Sequence, residues 1–404
     1  MPELKILLVI CDGMGDRPVP QFNGRTPLEA ATTPVMDSLA REGSCGLMHT
    51  IAPGVTPGSD TAHLALLGYD PVPIYTGRGP FEAMGIGMEV KPGDIAFRCN
   101  FATVDGSGRV RDRRAGRIHE GTKELAAALD SLEIEGVRII FKEGVEHRAV
   151  LILRGEGLSP MVTDTDPHKE GVKVLQSRAS APEAEKTARV LNRFTELAHE
   201  LLSRHDVNKG RGKPANAVLV RGAGEAPRVP SFSEKSGLSG AAAVGIPLVK
   251  GLCRFAGLEV LEVRGATGST DTDFNGKAQA ALSALKSADL VLLHYKAPDI
   301  YSHDRDPLGK LRGIETIDAA LRILLEASED TVIAVTADHT TPCSVGEHTA
   351  DPVPLAIHSP DQRRDSVAGF SEVACALGLH GRIRGTELIQ ILKGCANRSQ
   401  KFGA

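Results

Sequence analysis

Leu4-Lys-Ile-Leu-Leu-Val-Ile10 runs directly into Cys11-Asp12-Gly13. A continuous apolar run of this length, closed by an acidic residue and a glycine, reads as a buried parallel strand feeding a loop, with Asp12 at the strand's carboxyl end. Residues 34–42 then read as an amphipathic helix, with Thr33 placed to cap it and Pro34 tolerated in its first turn. This α/β rhythm returns near the other end of the chain. Residues 288–294 and 331–336 have the character of buried strands, and 311–327 between them that of an amphipathic helix. The predicted fold class is α/β: a mostly parallel sheet flanked by helices, in which ligands bind beyond the carboxyl ends of the strands.

The middle of the chain has a different texture. Residues 97–104, 137–142 and 149–154 read as strands and 120–132 and 182–203 as helices, which suits an inserted, smaller α+β domain. The expected division is a core domain of 1–94 and 214–404 with an insertion of 95–213, and the 209–214 stretch as its exit. A length of 404 residues agrees with two domains.

Composition narrows the function classes. Hydrophobic residues make up 41% and charged residues 24%, ordinary soluble usage that gives no reason to expect broad disorder. With 47 Lys and Arg against 51 Asp and Glu, the net charge of -4 lacks the positive field of a nucleic-acid binder. No apolar run approaches the roughly 20 residues of a membrane span, and the opening strand has no secretory flanks. Seven scattered cysteines form no CxxC pair, which fits a reducing cytoplasm better than a disulfide framework. A homo-oligomer is compatible with all of this.

Chemistry-bearing residues fall at the strand ends. Asp12 alone has an ordinary reading as a turn residue. In Lys296-Ala-Pro-Asp299-Ile-Tyr-Ser-His303, Asp299 and His303 are four apart and share a face if helical. Asp338-His339 closes an apolar strand, and His348 follows on a loop long enough to fold back. Oxygen and imidazole donors at three strand ends suit Mn²⁺ or Zn²⁺. Two such ions roughly 3.5 to 4 Å apart stabilise both the attacking and leaving oxygens of a phosphoryl displacement. In Thr56-Pro-Gly-Ser59-Asp, Ser59 stands at a turn entering a helix, where a serine is either a cap or, beside a metal, a nucleophile.

Together with their order in the chain, Cys11-Asp12-Gly13, Thr56-Pro-Gly-Ser59-Asp, Asp299-x-x-x-His303, Asp338-His339 and Gly346-Glu-His348 resemble the alkaline phosphatase superfamily. Within it, the stretches at 24–28, 75–83, 97–103 and Asp112-Arg-Arg-Ala-Gly-Arg117 resemble the archaeal-type cofactor-independent phosphoglycerate mutases, over nearly the whole chain. The resemblance implies an alkaline-phosphatase-like core. It places Asp12, Ser59, Asp338 and His339 around one divalent ion and Asp299, His303 and His348 around the other. Mn²⁺ is the expected metal, with Mg²⁺, Co²⁺ or Zn²⁺ as substitutes, and 2,3-bisphosphoglycerate is not required.

On the same grounds Ser59 is the residue phosphorylated while 3-phosphoglycerate is isomerised to 2-phosphoglycerate, with the insertion acting as a lid. Arg113, Arg114 and Arg117 offer guanidinium forks for phosphate and carboxylate. His147, Arg148 and Lys235 resemble further substrate contacts, and Asp166-Pro-His168 is either another contact or a turn. Pro298, Tyr301 and Ser302 depart from the family's smaller residues there, which bears on the pocket and not on the metal pair. A homoserine kinase-like phosphotransferase, a phosphatase and a phosphopentomutase share the same ligands, and a non-catalytic metabolite binder is a further alternative.

Overall fold

The computed structural model describes residues 2–401 and 403. Along the chain, β1 (Lys5–Cys11) and β2 (Ser44–His49) come first. β3 (Ile95–Val104), β4 (Val110–Asp112), β5 (Glu133–Ile134), β6 (Val137–Glu143), β7 (Arg148–Arg154) and β8 (Ala217–Glu225) follow. Then come β9 (Gly240–Ala243), β10 (Glu259–Val260), β11 (Leu290–Tyr295), β12 (Thr331–Thr336), β13 (Val353–His358) and β14 (Gly381–Arg384).

Residues 1–73 and 230–404 form the larger of two compact units and 74–229 the smaller. In the larger unit the sheet order is β10-β9-β11-β1-β12-β13-β2-β14. β1 runs parallel to both its neighbours, β11 and β12, and only β13 is antiparallel to the strands beside it. From Ile6 to Cys11 every residue of β1 is buried, as a central strand covered on both faces requires. The sheet is therefore mostly parallel, as its apolar strands predict.

In this unit two helices differ from expectation for definable reasons. Helix Pro34–Arg41 starts where proposed, but the Thr33 side chain makes no capping bond. The free N–H groups of Val35 and Met36 instead donate to the Asp318 carboxylate, at 3.2 and 2.8 Å. The helix expected at 311–327 begins earlier, as Pro307–Leu321, because Asp306 caps it by accepting from Gly309 N–H, and it tightens into a 3₁₀ turn, Arg322–Ala327.

The smaller unit is a six-stranded antiparallel sheet, β4-β3-β7-β6-β5 with β8 on the other side of β3. One face buries Phe97, Cys99, Phe101, Leu151, Leu153 and Val220 against Leu191 and Phe194 of the helix Glu185–Ser203. On the other face Ala83, from the helix Gly79–Gly85, packs with Ala96, Val150 and Ile152. That packing, together with the full length of β8, extends this unit on both sides of 95–213. The helix expected at 120–132 stops at Ala127. Beyond it the chain is claimed by β6: Ser131 N–H donates to Ile139 O, and Asp130 accepts from Phe141 N–H.

Candidate functional site

In the larger unit three parallel strands end level with one another: Ile10 of β1 stands opposite both His294 of β11 and Thr336 of β12. Strands lie about 4.8 Å apart, so Asp12, the turn after β11 and Asp338-His339 are forced into one small volume. Helix Ala297–His303 starts just after β11 and puts Asp299 and His303 one turn apart. The loop after β12 returns His348 so that its ring stacks on His339, with centroids 3.5 Å apart. Gly13 allows the closeness: its φ is +66°, and a Cβ there would stand 2.7 Å from the Cβ of Asp299. Ligand atoms of Asp12, Asp299 and His339 lie within 4.8 Å of one another, as do those of Asp299, His303 and His348.

Proton bookkeeping shows what this cluster presents. A carbonyl can only accept, so Nδ1 of His303 donates to Gly346 O at 2.8 Å and Nδ1 of His348 to Pro57 O at 2.9 Å. Thr341 gives its hydroxyl proton to Asp299 Oδ1, so His339 Nδ1 donates to Thr341 Oγ1 at 2.9 Å. In each ring Nε2 is left facing the carboxylates. His339 Nε2 lies 3.2 Å from Asp338 Oδ2 and 3.5 Å from Asp12 Oδ1; His303 and His348 Nε2 lie 3.4 and 3.7 Å from Asp299 Oδ1. Holding one imidazole nitrogen by a hydrogen bond to aim the other is how proteins prepare metal ligands.

The charges are held in tension. Burial and the neighbouring Asp12 push the Asp338 carboxyl well above its usual range. Its Oδ1 accepts from the N–H groups of Gly13 and His339, while Oδ2 is buried without a hydrogen-bond partner among the described residues. Burial also pushes Asp12 upward, but Lys296 and His294 outweigh it and hold Asp12 well below the carboxylate range. The Lys296 ammonium lies 3.0 Å from both Asp12 oxygens and 2.5 Å from Asp299 Oδ2. Burial pushes His339 down to about 3, so its Nε2 is bare; the hydrogen bond to Asp299 pushes His303 up to about 9, so a metal bound there displaces a proton. Acid oxygens, imidazole nitrogens and an orphaned buried carboxylate oxygen fit a divalent cation.

Ser59 belongs to this cluster. It is the first residue of helix Ser59–Leu66, and the cap position falls to Gly58, whose N–H is taken by Thr61 Oγ1 at 3.1 Å. Relieved of capping, the Ser59 hydroxyl donates to the bare Nε2 of His339 at 3.2 Å.

A second constellation lies in the smaller unit. Cross-strand pairs share a face, so the pairing of Arg98 with Arg221 and of Asn100 with Arg148 puts three arginines and an amide opposite the aromatic core. Glu82 lies 3.6 Å from Arg98 and 3.5 Å from Arg78. Asp166 takes Arg113 in a two-pronged bond of 3.1 and 2.6 Å and lies 3.6 Å from Arg221. Arg98 Nε, Asn100 Oδ1 and His147 Nδ1 are buried without hydrogen-bond partners among the described residues. Burial, with Arg78, Arg221 and Arg148 nearby, lowers Arg98 to about 10, against the pull of Glu82. Burial and then Arg148, Arg114, Arg98 and Arg117 lower His147 to about 4. Residues Ala115, Gly116 and Arg117 all have positive φ, a strained turn that carries Arg117. The face fits an anion with several oxygens.

The family model for 2,3-bisphosphoglycerate-independent phosphoglycerate mutase matches residues 40–208. A Methanopyrus kandleri enzyme of that name is 51% identical over 100% of this chain and 99% of its own, and a Methanocaldococcus jannaschii one 47% identical over all of both. The chain belongs to this mutase family. Among solved structures, the cofactor-independent phosphoglycerate mutase of Thermoplasma acidophilum covers 97% of this chain and 100% of its own at 41% identity, with a TM-score of 0.74. A Pyrococcus horikoshii protein covers 100% of both at 38% identity and a TM-score of 0.88.

Set against the mutase pattern, the structure brings Asp12, Ser59, Asp299, His303, Asp338, His339 and His348 together. Arg113, Arg114, Arg117, His147 and Arg148 gather in the smaller unit, and His168 lies 3.1 Å from Asp164. Lys235 is apart from the metal-type cluster: its ammonium sits 5.7 Å over the Tyr69 ring, beyond the far end of the helix that Ser59 starts. Tyr301 packs on the helix Pro307–Leu321, where a Cβ at Gly309 would come 2.4 Å from its ring, and Ser302 bonds Pro298 O. Lys296, Thr341 and His294 were missed by sequence reasoning, as were Arg98 and Arg221. For Arg98 and Asn100 a signal existed: they alternate with Phe97, Cys99 and Phe101 along one strand.

Proposed function

We propose that the protein interconverts 3-phosphoglycerate and 2-phosphoglycerate by way of a phosphorylated Ser59. What carries this reading is the convergence of the Ser59 hydroxyl, three carboxylates and three aimed imidazole Nε2 atoms at adjoining strand ends. Asp12, Asp338, His339 and Ser59 would hold one divalent ion and Asp299, His303 and His348 the other. The absence of thiolates from the set favours Mn²⁺ over softer choices. When bound, the ions lower the serine pKa and stabilise charge on the phosphoryl oxygens.

The chain's own groups do the rest. Ser59 Oγ attacks phosphorus; its bond to phosphorus forms as the bond to the glycerate oxygen breaks, and the serine proton ends on the freed hydroxyl. The phosphoryl group then returns to the other hydroxyl of the same glycerate, and Ser59 is regenerated. Lys296 beside Asp12 and Asp299 adds positive charge where the phosphate arrives. In the smaller unit, the arginine face with Asn100 and His147 is suited to bind an organic anion such as a phosphoglycerate. The composition and cysteine usage fit a cytoplasmic enzyme.

The test is a coupled enolase assay on the purified protein with 3-phosphoglycerate and Mn²⁺, without 2,3-bisphosphoglycerate. Turnover that EDTA abolishes and Mn²⁺ restores is expected. Release of inorganic phosphate in place of 2-phosphoglycerate, or turnover indifferent to EDTA, would overturn the reading.

A further inference from the structure

His294 is an anomaly in β11, whose preceding residues Leu290-Val-Leu-Leu293 are apolar. It is fully buried, and its Nε2 lies 2.9 Å from Asp12 Oδ2. Asp12 Oδ2 already accepts from the Lys296 ammonium at 3.0 Å, which marks it as an acceptor, so this Nε2 donates to it. His294 differs from His303, His339 and His348 at the other nitrogen: their Nδ1 atoms are engaged by loop oxygens, whereas His294 Nδ1 has no hydrogen-bond partner among the described residues. His294 is built as a donor and not as a ligand.

Its backbone is anchored from behind by the helix Phe274–Ala284. Lys277, fully buried, donates from its ammonium to the His294 carbonyl and lies 4.9 Å from the Tyr295 ring centroid. Tyr295 returns a hydrogen bond from its hydroxyl to Phe274 O at 2.9 Å and stacks on the Phe274 ring at 5.5 Å. The N–H of Asp12 in turn donates to Tyr295 O at 2.8 Å. Asp12 is thus held at its main chain by Tyr295 and at its side chain by His294 on one clamped strand end; Lys296, 3.0 Å from both carboxylate oxygens, adds charge without favouring either oxygen, so that His294 is the partner that distinguishes them.

We infer that His294 is a positioning residue for Asp12, anchored by Lys277. By taking Oδ2 it turns Oδ1 toward His339 Nε2, 3.5 Å away, where the donor set of Asp12, Asp299 and His339 gathers. The inference rests on the metal reading of that cluster. Outer hydrogen-bond partners of this kind typically change metal affinity by about 10- to 100-fold when removed.

Two substitutions separate positioning from bulk. In His294→Gln the side-chain amide nitrogen reaches the place of Nε2; in His294→Asn it reaches only that of Nδ1. Both are to be checked for folding by circular dichroism. Full-length protein stripped with EDTA is titrated with Co²⁺, read by calorimetry and by the visible absorption of the bound ion, and mutase activity is measured in parallel. The Asn variant should lose about 10- to 100-fold in Co²⁺ affinity at one site with a shifted spectrum, and the Gln variant should recover most of that loss. Lys277→Met should move both readouts in the Asn direction by a smaller factor. Equal affinity and spectrum in wild type and the Asn variant would overturn the inference, as would a Gln variant no better than Asn. Wild-type protein that binds Co²⁺ without interconverting phosphoglycerates would sink the proposed reaction and leave the positioning role standing; protein that binds no Co²⁺ would remove the basis of both.

Discussion

At the strand ends of the larger unit, carboxylates and imidazole nitrogens face one another across 3.2 to 3.7 Å. On the sheet face of the smaller unit arginines crowd until Arg98 is pushed down to about 10 and His147 to about 4. The two regions are weighted in opposite senses, although Glu82 and Asp166 stand among the arginines of the second. The first concentrates acceptors, with one lysine ammonium among them, and fits cations; the second concentrates donors and fits a polyoxygen anion. A fold stabilised by its hydrophobic core has no need of either concentration, since unpartnered buried polar atoms oppose folding. Their chemistry is complementary to a phosphorylated acid handled with divalent ions, which is why the contrast points to function.

The sharpest way to break the contrast is to remove chemistry from the acceptor region without removing charge. Ser59→Ala deletes one hydroxyl, while the carboxylates and imidazoles remain. Turnover should fall by about a thousandfold or more, as for other residues that carry the covalent step. Mn²⁺ affinity should change far less, because three carboxylates and three imidazole nitrogens of the set remain. Isotope transfer from labelled 3-phosphoglycerate to Ser59, detected by mass spectrometry in wild type and absent in the variant, completes the test. Normal turnover in Ser59→Ala would end the phosphoserine mechanism.

A smaller effect is expected from the donor region. Arg98→Met keeps the length and the packing on β3 but removes the guanidinium. Hydrogen bonds to charged groups contribute roughly 1.5–3 kcal/mol, or roughly 10- to 150-fold. KM for 3-phosphoglycerate should rise by about that factor, with kcat reduced less and Mn²⁺ affinity unchanged. A lost metal affinity with KM intact would show that the two regions are not separable in the way their charges suggest.

The two regions were also unequally legible. Acceptors at strand ends are written in the sequence, because an apolar run fixes where a parallel strand stops and the next residue is then aimed at the ligand crevice. Asp12 and Asp338-His339 follow from that rule, and the four-residue spacing supplies Asp299 and His303. Hydrogen-bonded tautomers are not written there: nothing local says that His294 donates to Asp12, because that bond joins strand ends far apart in the chain, and although Thr341 is only two residues from His339, the direction of their bond is set by Thr341's donation to the distant Asp299. Tyr301 was ambiguous for the same reason, since its partner glycines lie on the next helix. Arg98 was hidden in a strand whose aromatic neighbours dominate the pattern, and its meaning depends on Arg221, more than a hundred residues away. The helix caps failed likewise, with Asp318 doing for residues 34–41 what Thr33 was expected to do.

The smallest effect is a titration. His147 is buried beside Arg148, Arg114, Arg98 and Arg117, with Glu146 3.6 Å away, and its pKa is lowered from 6.5 to about 4. Between those values the unfolded chain binds a proton at this site that the folded chain does not. The contribution of His147 to stability is therefore fully present above pH 6.5 and is lost as pH falls toward 4. Wild type should lose thermal stability relative to His147→Gln over that window, and the His147 ring signals in NMR should titrate near 4. An anion on the arginine face offsets the charges that follow burial as causes of the shift, so saturating inorganic phosphate should move the midpoint upward. A midpoint already at 6.5 without phosphate would mean that the arginines do not crowd His147 in solution, and the positive weighting of the smaller unit would lose its most sensitive reporter.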